Sequence, residues 1–237
     1  MTGSLQAIVF DFDGVIADSE PLHLKAFQQM LREAGFDLSS ADYYARYLGY
    51  DDVGLLQALA RDRGAPMSDG QITALVARKG AILQGMLHDG HVLFPGAAEF
   101  IETAARHVPI AIASGALRHE IVEIIGNAGL QHLFPIVVAA GDTPQSKPSP
   151  APYLLAFERL RESSGADLDP SRCVAIEDSR WGLESARGAG LRCVGVTTSY
   201  PAAELAGAEL VAGSLKDLTI DALDGLCATA PRSAAGR

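Results

Sequence analysis

Ala7-Ile-Val-Phe10 runs straight into Asp11-Phe-Asp-Gly14, and this junction limits the folds open to the chain more than any other stretch. A short, unbroken apolar run bounded by polar residues reads as a strand buried on both faces, the kind found in parallel sheets covered by helices. Its carboxyl end delivers two carboxylates, Asp11 and Asp13, into a loop. In an open parallel sheet that end of a strand borders the ligand crevice. Two aspartates so placed suit a shared divalent cation and a division of labour, one ionised as a nucleophile, the other exchanging a proton. Gly14 lets the backbone turn away while staying close to a ligand. On these residues alone, a plain turn after a strand is an equal alternative. A calcium loop fits less well, because its glycine belongs at the sixth position and here it comes fourth.

The remainder of the chain favours the sheet. From Pro95 onward, strand candidates at Ile110–Ala113, Ile136–Ala140, Val174–Ile176 and Cys193–Val196 alternate with helical spacings. Those helices are predicted through Phe100 to Ala105, through Ile121 to Ile125, from Pro150 through Leu160, and from Trp181 to Ala189. The alternation predicts an α/β fold, a parallel sheet with helices on both faces. Between the first strand and about residue 109 no strand is expected. Helical spacing instead recurs at Leu24, Phe27 and Leu31, at Val53, Leu56 and Ala60, and from Ile72 to Leu87. The expected organisation is a core of residues 1–15 and 93–237 and a helical cap of residues 16–92. A cap that leaves and returns beside the catalytic edge is expected to act as a lid, hinged near Val15 to Asp18 and near His91 to Pro95. The small, polar ending Ala228 to Arg237 is expected to fray.

Composition excludes some classes. A formal net charge of −10 argues against a nucleic-acid partner, which calls for basic patches. It leaves room for a small anionic substrate held by a few local cations. The 48% hydrophobic content over 237 residues is ample for a soluble core, and no run approaches a membrane span. With no basic segment and apolar stretch at the N-terminus, a cytoplasmic location and no membrane partner are the expectation. Cys173, Cys193 and Cys227 lack metal-ligand spacing; the first two lead into apolar runs and read as buried free thiols.

Three later strand ends bring polar groups to the edge where Asp11 lies. Ser114-Gly115 offers a hydroxyl and exposed backbone N–H groups, a phosphate cradle or simply a helix cap. Lys147, in Ser146-Lys-Pro-Ser-Pro150, sits where the two following prolines would stiffen the loop and hold the ammonium as a fixed point charge, a simply solvated lysine being the alternative. Glu177-Asp178 ends the run Val174-Ala-Ile176, and these acids would repel the first pair unless a cation lay between them. Trp181 reads as packing.

Taken together, Asp11-Phe-Asp-Gly-Val-Ile-Ala-Asp-Ser-Glu20, Ala113-Ser-Gly115, Ser146-Lys-Pro-Ser-Pro150 and Ala175-Ile-Glu-Asp-Ser179, running on to Gly182 and Gly190, resemble the haloacid dehalogenase superfamily. The likeness is to the branch with an α-helical cap inserted after the first strand, among members similar to β-phosphoglucomutase and phosphoglycolate phosphatase. The segments occur in family order and span nearly the whole chain. The resemblance implies a doubly wound, Rossmann-like core and a Mg²⁺-dependent phosphatase. Asp11 would be the nucleophile that forms an aspartyl-phosphate, and Asp13 the general acid and base. Ser114 and Lys147, with Gly14 and Gly115 in the substrate loops, would hold the phosphoryl group. Mg²⁺ would be held by Asp11, the backbone carbonyl of Asp13 and Asp178, with Glu177 direct or through water. On the cap, His23 and Lys79 match residues that reach substrate in sugar-phosphate members, though both also fit as helix neighbours.

The implied partner is a small phosphorylated metabolite, a sugar phosphate or a phosphoglycolate-like acid, acted on by a monomer. The alternative is a phosphomutase acting on a hexose phosphate. Mutase relatives carry a basic residue on the cap loop for a second phosphate, whereas the matching stretch here is Gly49-Tyr-Asp-Asp52, whose acids would repel it. Dehalogenases of the superfamily lack the second aspartate, so Asp13 disfavours that reaction. A binding module without catalysis would have no use for all four segments.

Overall fold

A computed structural model describes residues 4–48, 50–89 and 92–229. Gly49, His91 and the ending 230–237, three places where the sequence carries an expectation, lie outside the described residues. The fold is α/β, and the chain divides into two compact units, Met1–Asp18 with His91–Arg237, and Ser19–Gly90.

The larger unit is built on six parallel strands, β1 (Ala7–Phe10), β2 (Ile110–Ala113), β3 (Val137–Val138), β4 (Cys173–Glu177), β5 (Arg192–Val196) and β6 (Leu210–Ala212), in the order β3-β2-β1-β4-β5-β6. β1 is central and pairs through Val9 with Ala111 on one side and Ala175 on the other. Its four residues are fully buried, which is why the run shows no apolar–polar alternation. Val9 and Ala7 share a cluster with Tyr153, Phe157 and Leu160 of α7 (Ala151–Ser164) and Leu183 and Ala186 of α8 (Arg180–Gly188). Phe10 points to the opposite face, edge-on to Phe100 of α5 (Ala97–His107) and to Phe134, at ring separations of 6.2 and 6.0 Å. α6 (Arg118–Asn127) connects β2 to β3, and α9 (Ile220–Ala228) closes the unit. The strand order reverses between β1 and β4, so the crevice of a doubly wound sheet opens at their carboxyl ends.

Several expectations shift by physical detail. β3 spans two residues rather than Ile136–Ala140, because the Ala139 N–H is taken by Asp142 Oδ2 and the Ala140 N–H by the Ala116 carbonyl. β6 and α9 lie beyond the last predicted strand; three residues of strand are too few to carry a period. The two compact units divide after Asp18. The Asp18 N–H donates to the Val92 carbonyl at 2.7 Å, the Phe94 N–H to Ile16 at 3.0 Å, and Ala17 bridges both Asp13 and Leu93. Residues 16–18 are thereby tied into the core unit.

The smaller unit holds α1 (Glu20–Glu33), α2 (Ser40–Asp42), a π-helical turn at Tyr43–Tyr47, α3 (Asp52–Asp62) and α4 (Asp69–Asp89). α1 buries Leu24, Phe27, Met30 and Leu31, a spacing that keeps one face apolar. α3 begins where the Asp51 side chain accepts from the Gly54 N–H at 2.6 Å. The three cysteines are buried free thiols. Among the described residues no helix is long and apolar enough to cross a membrane.

Candidate active site

At the reversal point, β1 leads into Asp11 and β4 ends on Glu177 with Asp178 next, on neighbouring strands in register. Burial of the strands carries all three carboxylates inside: Asp11 is 8% exposed, Glu177 0% and Asp178 7%. One oxygen from each lies within 4.8 Å of the others. Lys147, from the loop after β3, inserts its ammonium between two of them, 2.7 Å from Asp11 Oδ1 and 2.6 Å from Glu177 Oε1.

One ammonium does not balance three buried carboxylates. Burial, followed by the charge of Glu177, pushes the Asp11 carboxyl well above its ordinary range despite the pull of Lys147. Burial and Glu177 raise Asp178 to about 6, opposed by Ser199 and Lys147. Burial would lower Lys147, but Asp11 and Glu177 outweigh it and hold the ammonium charged. Glu177 keeps its charge as well, because Lys147, Tyr153 and the Ser179 backbone outweigh the desolvation. The donor set, three converging carboxylate oxygens in excess of cationic charge, is the chemistry of a hard divalent cation site.

Glu177 has few lone pairs left for such an ion. Its Oε1 accepts from Lys147 and from the Tyr153 hydroxyl at 2.8 Å. Its Oε2 accepts from the amides of Asp178 and Ser179 at 3.2 and 3.3 Å and from Ser179 Oγ at 3.1 Å. The hydrogen bonds to Asp11 fall instead on Oδ1, from the Phe12 N–H at 2.7 Å and from Lys147. Asp11 and Asp178 therefore have the greater capacity to ligate.

Two glycines are dictated by these carboxylates. Gly14 has φ +77°, and a Cβ there would lie 1.9 Å from Asp178 Oδ2. A Cβ on Gly182 would come within 1.8 Å of the Glu177 carboxylate. Gly182→Ala is expected to cost about 3 kcal/mol or more, a fall of roughly 6–12 °C in melting temperature by calorimetry. An unchanged melting point would show that helix α8 shifts without penalty.

Ser114 follows β2, is 5% exposed, and accepts from the Ala116 N–H at 3.0 Å, with Gly115 between them. Asp13 lies in the turn after Asp11, partly exposed, and bridges to Ala17. Sequence reasoning missed Tyr153, Thr198 and Ser199. Thr198 Oγ1 donates to the Gly14 carbonyl, and Ser199 bonds Asp178. The rule applied to the other strand ends would have found the last two, since they follow β5. Trp181 packs at the surface: it is 42% exposed, under the Arg180 guanidinium and edge-on to Tyr200.

In the helical unit His23 and Lys79 meet each other. Lys79 is 2% exposed; its ammonium lies 2.9 Å from His23 Nδ1, 2.9 Å from Asp52 Oδ1, and over the Phe27 ring. Burial, then the Lys79 charge, lowers His23 to about 3, so its ring is neutral and accepts. Asp51 and Asp52, expected to repel a second phosphate, are thus both engaged locally, one as a helix cap and one by Lys79.

Comparison with known proteins places the fold and the family. The family model described as haloacid dehalogenase-like hydrolase matches residues 5–190. Protein CbbY of Rhodobacter capsulatus is 34% identical over 206 residues, 83% of this chain and 87% of that one. The fructose-1-phosphate phosphatase YqaB of Escherichia coli is 28% identical over 80% of this chain and 95% of its own. Among solved structures, CbbY from Rhodobacter sphaeroides in complex with xylulose-(1,5)bisphosphate superposes with a TM-score of 0.79 at 27% identity, covering 93% of this chain and 99% of that one.

Proposed function

The chain belongs to the haloacid dehalogenase-like hydrolases, and from that premise we propose that it is a Mg²⁺-dependent phosphatase that releases phosphate from a small phosphorylated sugar by way of an aspartyl-phosphate on Asp11. The observation that carries this reading is the buried Asp11–Lys147–Glu177 chain beside Asp178 at the point where the sheet order reverses. Phosphoryl transfer asks for in-line positioning and neutralised charge more than for covalent chemistry, and fixed charges in a dry crevice serve both needs.

Asp11 attacks phosphorus through a carboxylate oxygen. The bond to the sugar oxygen breaks, and Asp13 gives its proton to that leaving oxygen. Water then attacks the aspartyl-phosphate, Asp13 takes its proton, and inorganic phosphate leaves with the Asp11 carboxylate restored. Lys147 and Ser114, with the N–H groups around Gly115, hold the phosphoryl oxygens. Asp11, Asp178 and the Asp13 carbonyl would hold the Mg²⁺, which when bound supplies positive charge to the developing phosphoryl oxygens. The sugar class rests on relatives named for fructose 1-phosphate and solved with xylulose-(1,5)bisphosphate.

A phosphomutase would need a cation for the second phosphate of a hexose bisphosphate. Lys79, a cation buried in the helical unit, is already paired with Asp52. Net hydrolysis is therefore expected: β-glucose 1-phosphate with a trace of glucose 1,6-bisphosphate should yield free phosphate without faster formation of glucose 6-phosphate. Coupled assays for both products decide it. Glucose 6-phosphate outpacing phosphate would transfer the assignment to the mutases.

A further inference from the structure

Tyr153 lies on α7, outside every loop that borders the crevice, and is fully buried. Its hydroxyl donates to Glu177 Oε1 at 2.8 Å, the same oxygen that accepts from Lys147 at 2.6 Å. Its ring lies beneath the ammonium, with Lys147 Nζ 5.1 Å from the ring centroid. Glu177 is gripped from the far side by Ser179 Oγ, whose oxygen in turn caps α8 by accepting from the Gly182 N–H at 3.1 Å.

We propose that Tyr153 is a positioning residue: it fixes the rotation of the Glu177 carboxylate and so holds the Lys147 ammonium against Asp11. The argument is geometric. A carboxylate with donors on one oxygen only is free to turn about its last bond. Here Lys147 and Tyr153 converge on Oε1 while Ser179 and two amides hold Oε2, leaving one orientation. Lys147 has four methylenes and enters from a loop, so its ammonium goes where its acceptors and the ring beneath it dictate. Loss of the hydroxyl removes one of the two anchors on Oε1. It leaves the ring, the packing of α7 and the first ligands of the phosphoryl group in place.

The proposal rests on the phosphatase reading above, and two measurements on the full-length enzyme separate them. In turnover of fructose 1-phosphate or another accepted sugar phosphate, Tyr153→Phe is expected to lower kcat about tenfold, the worth of one charge-assisted hydrogen bond, with KM changed less than about twofold. In a Glu177→Gln background the same change should lower kcat by clearly less than that, because the residue acts through Glu177. The second measurement needs no turnover: in protein labelled with ¹⁵N-lysine, the Lys147 ammonium should give a protected resonance that broadens or vanishes in Tyr153→Phe. A lowered melting point with kcat and the resonance unchanged would assign Tyr153 to packing alone and overturn the proposal. A full tenfold loss in both backgrounds would overturn the route through Glu177. If the wild type hydrolyses no phosphomonoester, the phosphatase reading fails, and the ammonium resonance alone decides the role of Tyr153.

Discussion

Asp11→Asn is expected to lower phosphate release by about 10³-fold or more while the protein remains folded, since losing a covalent nucleophile removes a whole reaction path. The substitution keeps the shape and one carbonyl oxygen, so the bonds from Phe12 and Lys147 have an acceptor still. It also removes one of three crowded negative charges. Because burial and Glu177 raise the Asp11 carboxyl above its ordinary range, the folded state holds that proton more tightly than the unfolded chain does. A raised carboxyl of this kind lowers stability as pH climbs. In chelator at neutral pH, the Asn variant should therefore melt no lower than the wild type. Residual turnover within tenfold of the wild type would remove Asp11 from the nucleophile's role. A lower melting point would show that the charge of Asp11 is needed to seat Lys147.

Metal removal should be as severe. With three carboxylate oxygens within 4.8 Å and one ammonium among them, the protein's own groups leave the site short of positive charge. Excess chelator is expected to abolish turnover, and Mg²⁺ at about a hundred times its dissociation constant should stabilise the fold by roughly 2.7 kcal/mol, or about 5–10 °C. Asp178→Asn should reduce that rise sharply, because Asp178 retains capacity to ligate that Glu177 does not. Full activity in chelator would remove the metal from the reaction. An unchanged Mg²⁺-dependent rise in Asp178→Asn would remove Asp178 from the ligands.

The strands that carry the site were legible because each is a short apolar run that stops at a polar residue. Ala7–Phe10 before Asp11, Ile110–Ala113 before Ser114 and Val174–Ile176 before Glu177 all follow this pattern. What was not legible lies one contact further away. Tyr153 reads as a helix-face aromatic, and its spacing with Phe157 and Leu160 marks only a buried stripe. That its hydroxyl meets Glu177 depends on the tertiary placement of α7, which no local pattern encodes. The local partners of Asp51 and Asp52 were hidden for a related reason. Charge read along a chain carries sign but not partner, and here a helix N-terminus and a lysine from α4 absorb them. β6 and α9 escaped because Leu210–Ala212 is too brief and only partly buried.

The hydrogen bonds that fasten Ile16–Asp18 to Val92–Phe94 bear on how this chain tolerates change over evolutionary time. β1 and β2 are sheet neighbours, yet Ile8 meets Ile110 across an entire folded unit. Each doubling of an unstructured connection adds only about 0.6 kcal/mol to ring closure, and pinned ends make even that small term insensitive to what hangs between them. Ancestral insertions and deletions in residues 19–90 would leave strand pairing undisturbed. A lineage built on this clasp is free to rewrite residues 19–90 while the sheet pairing of the other unit stays fixed.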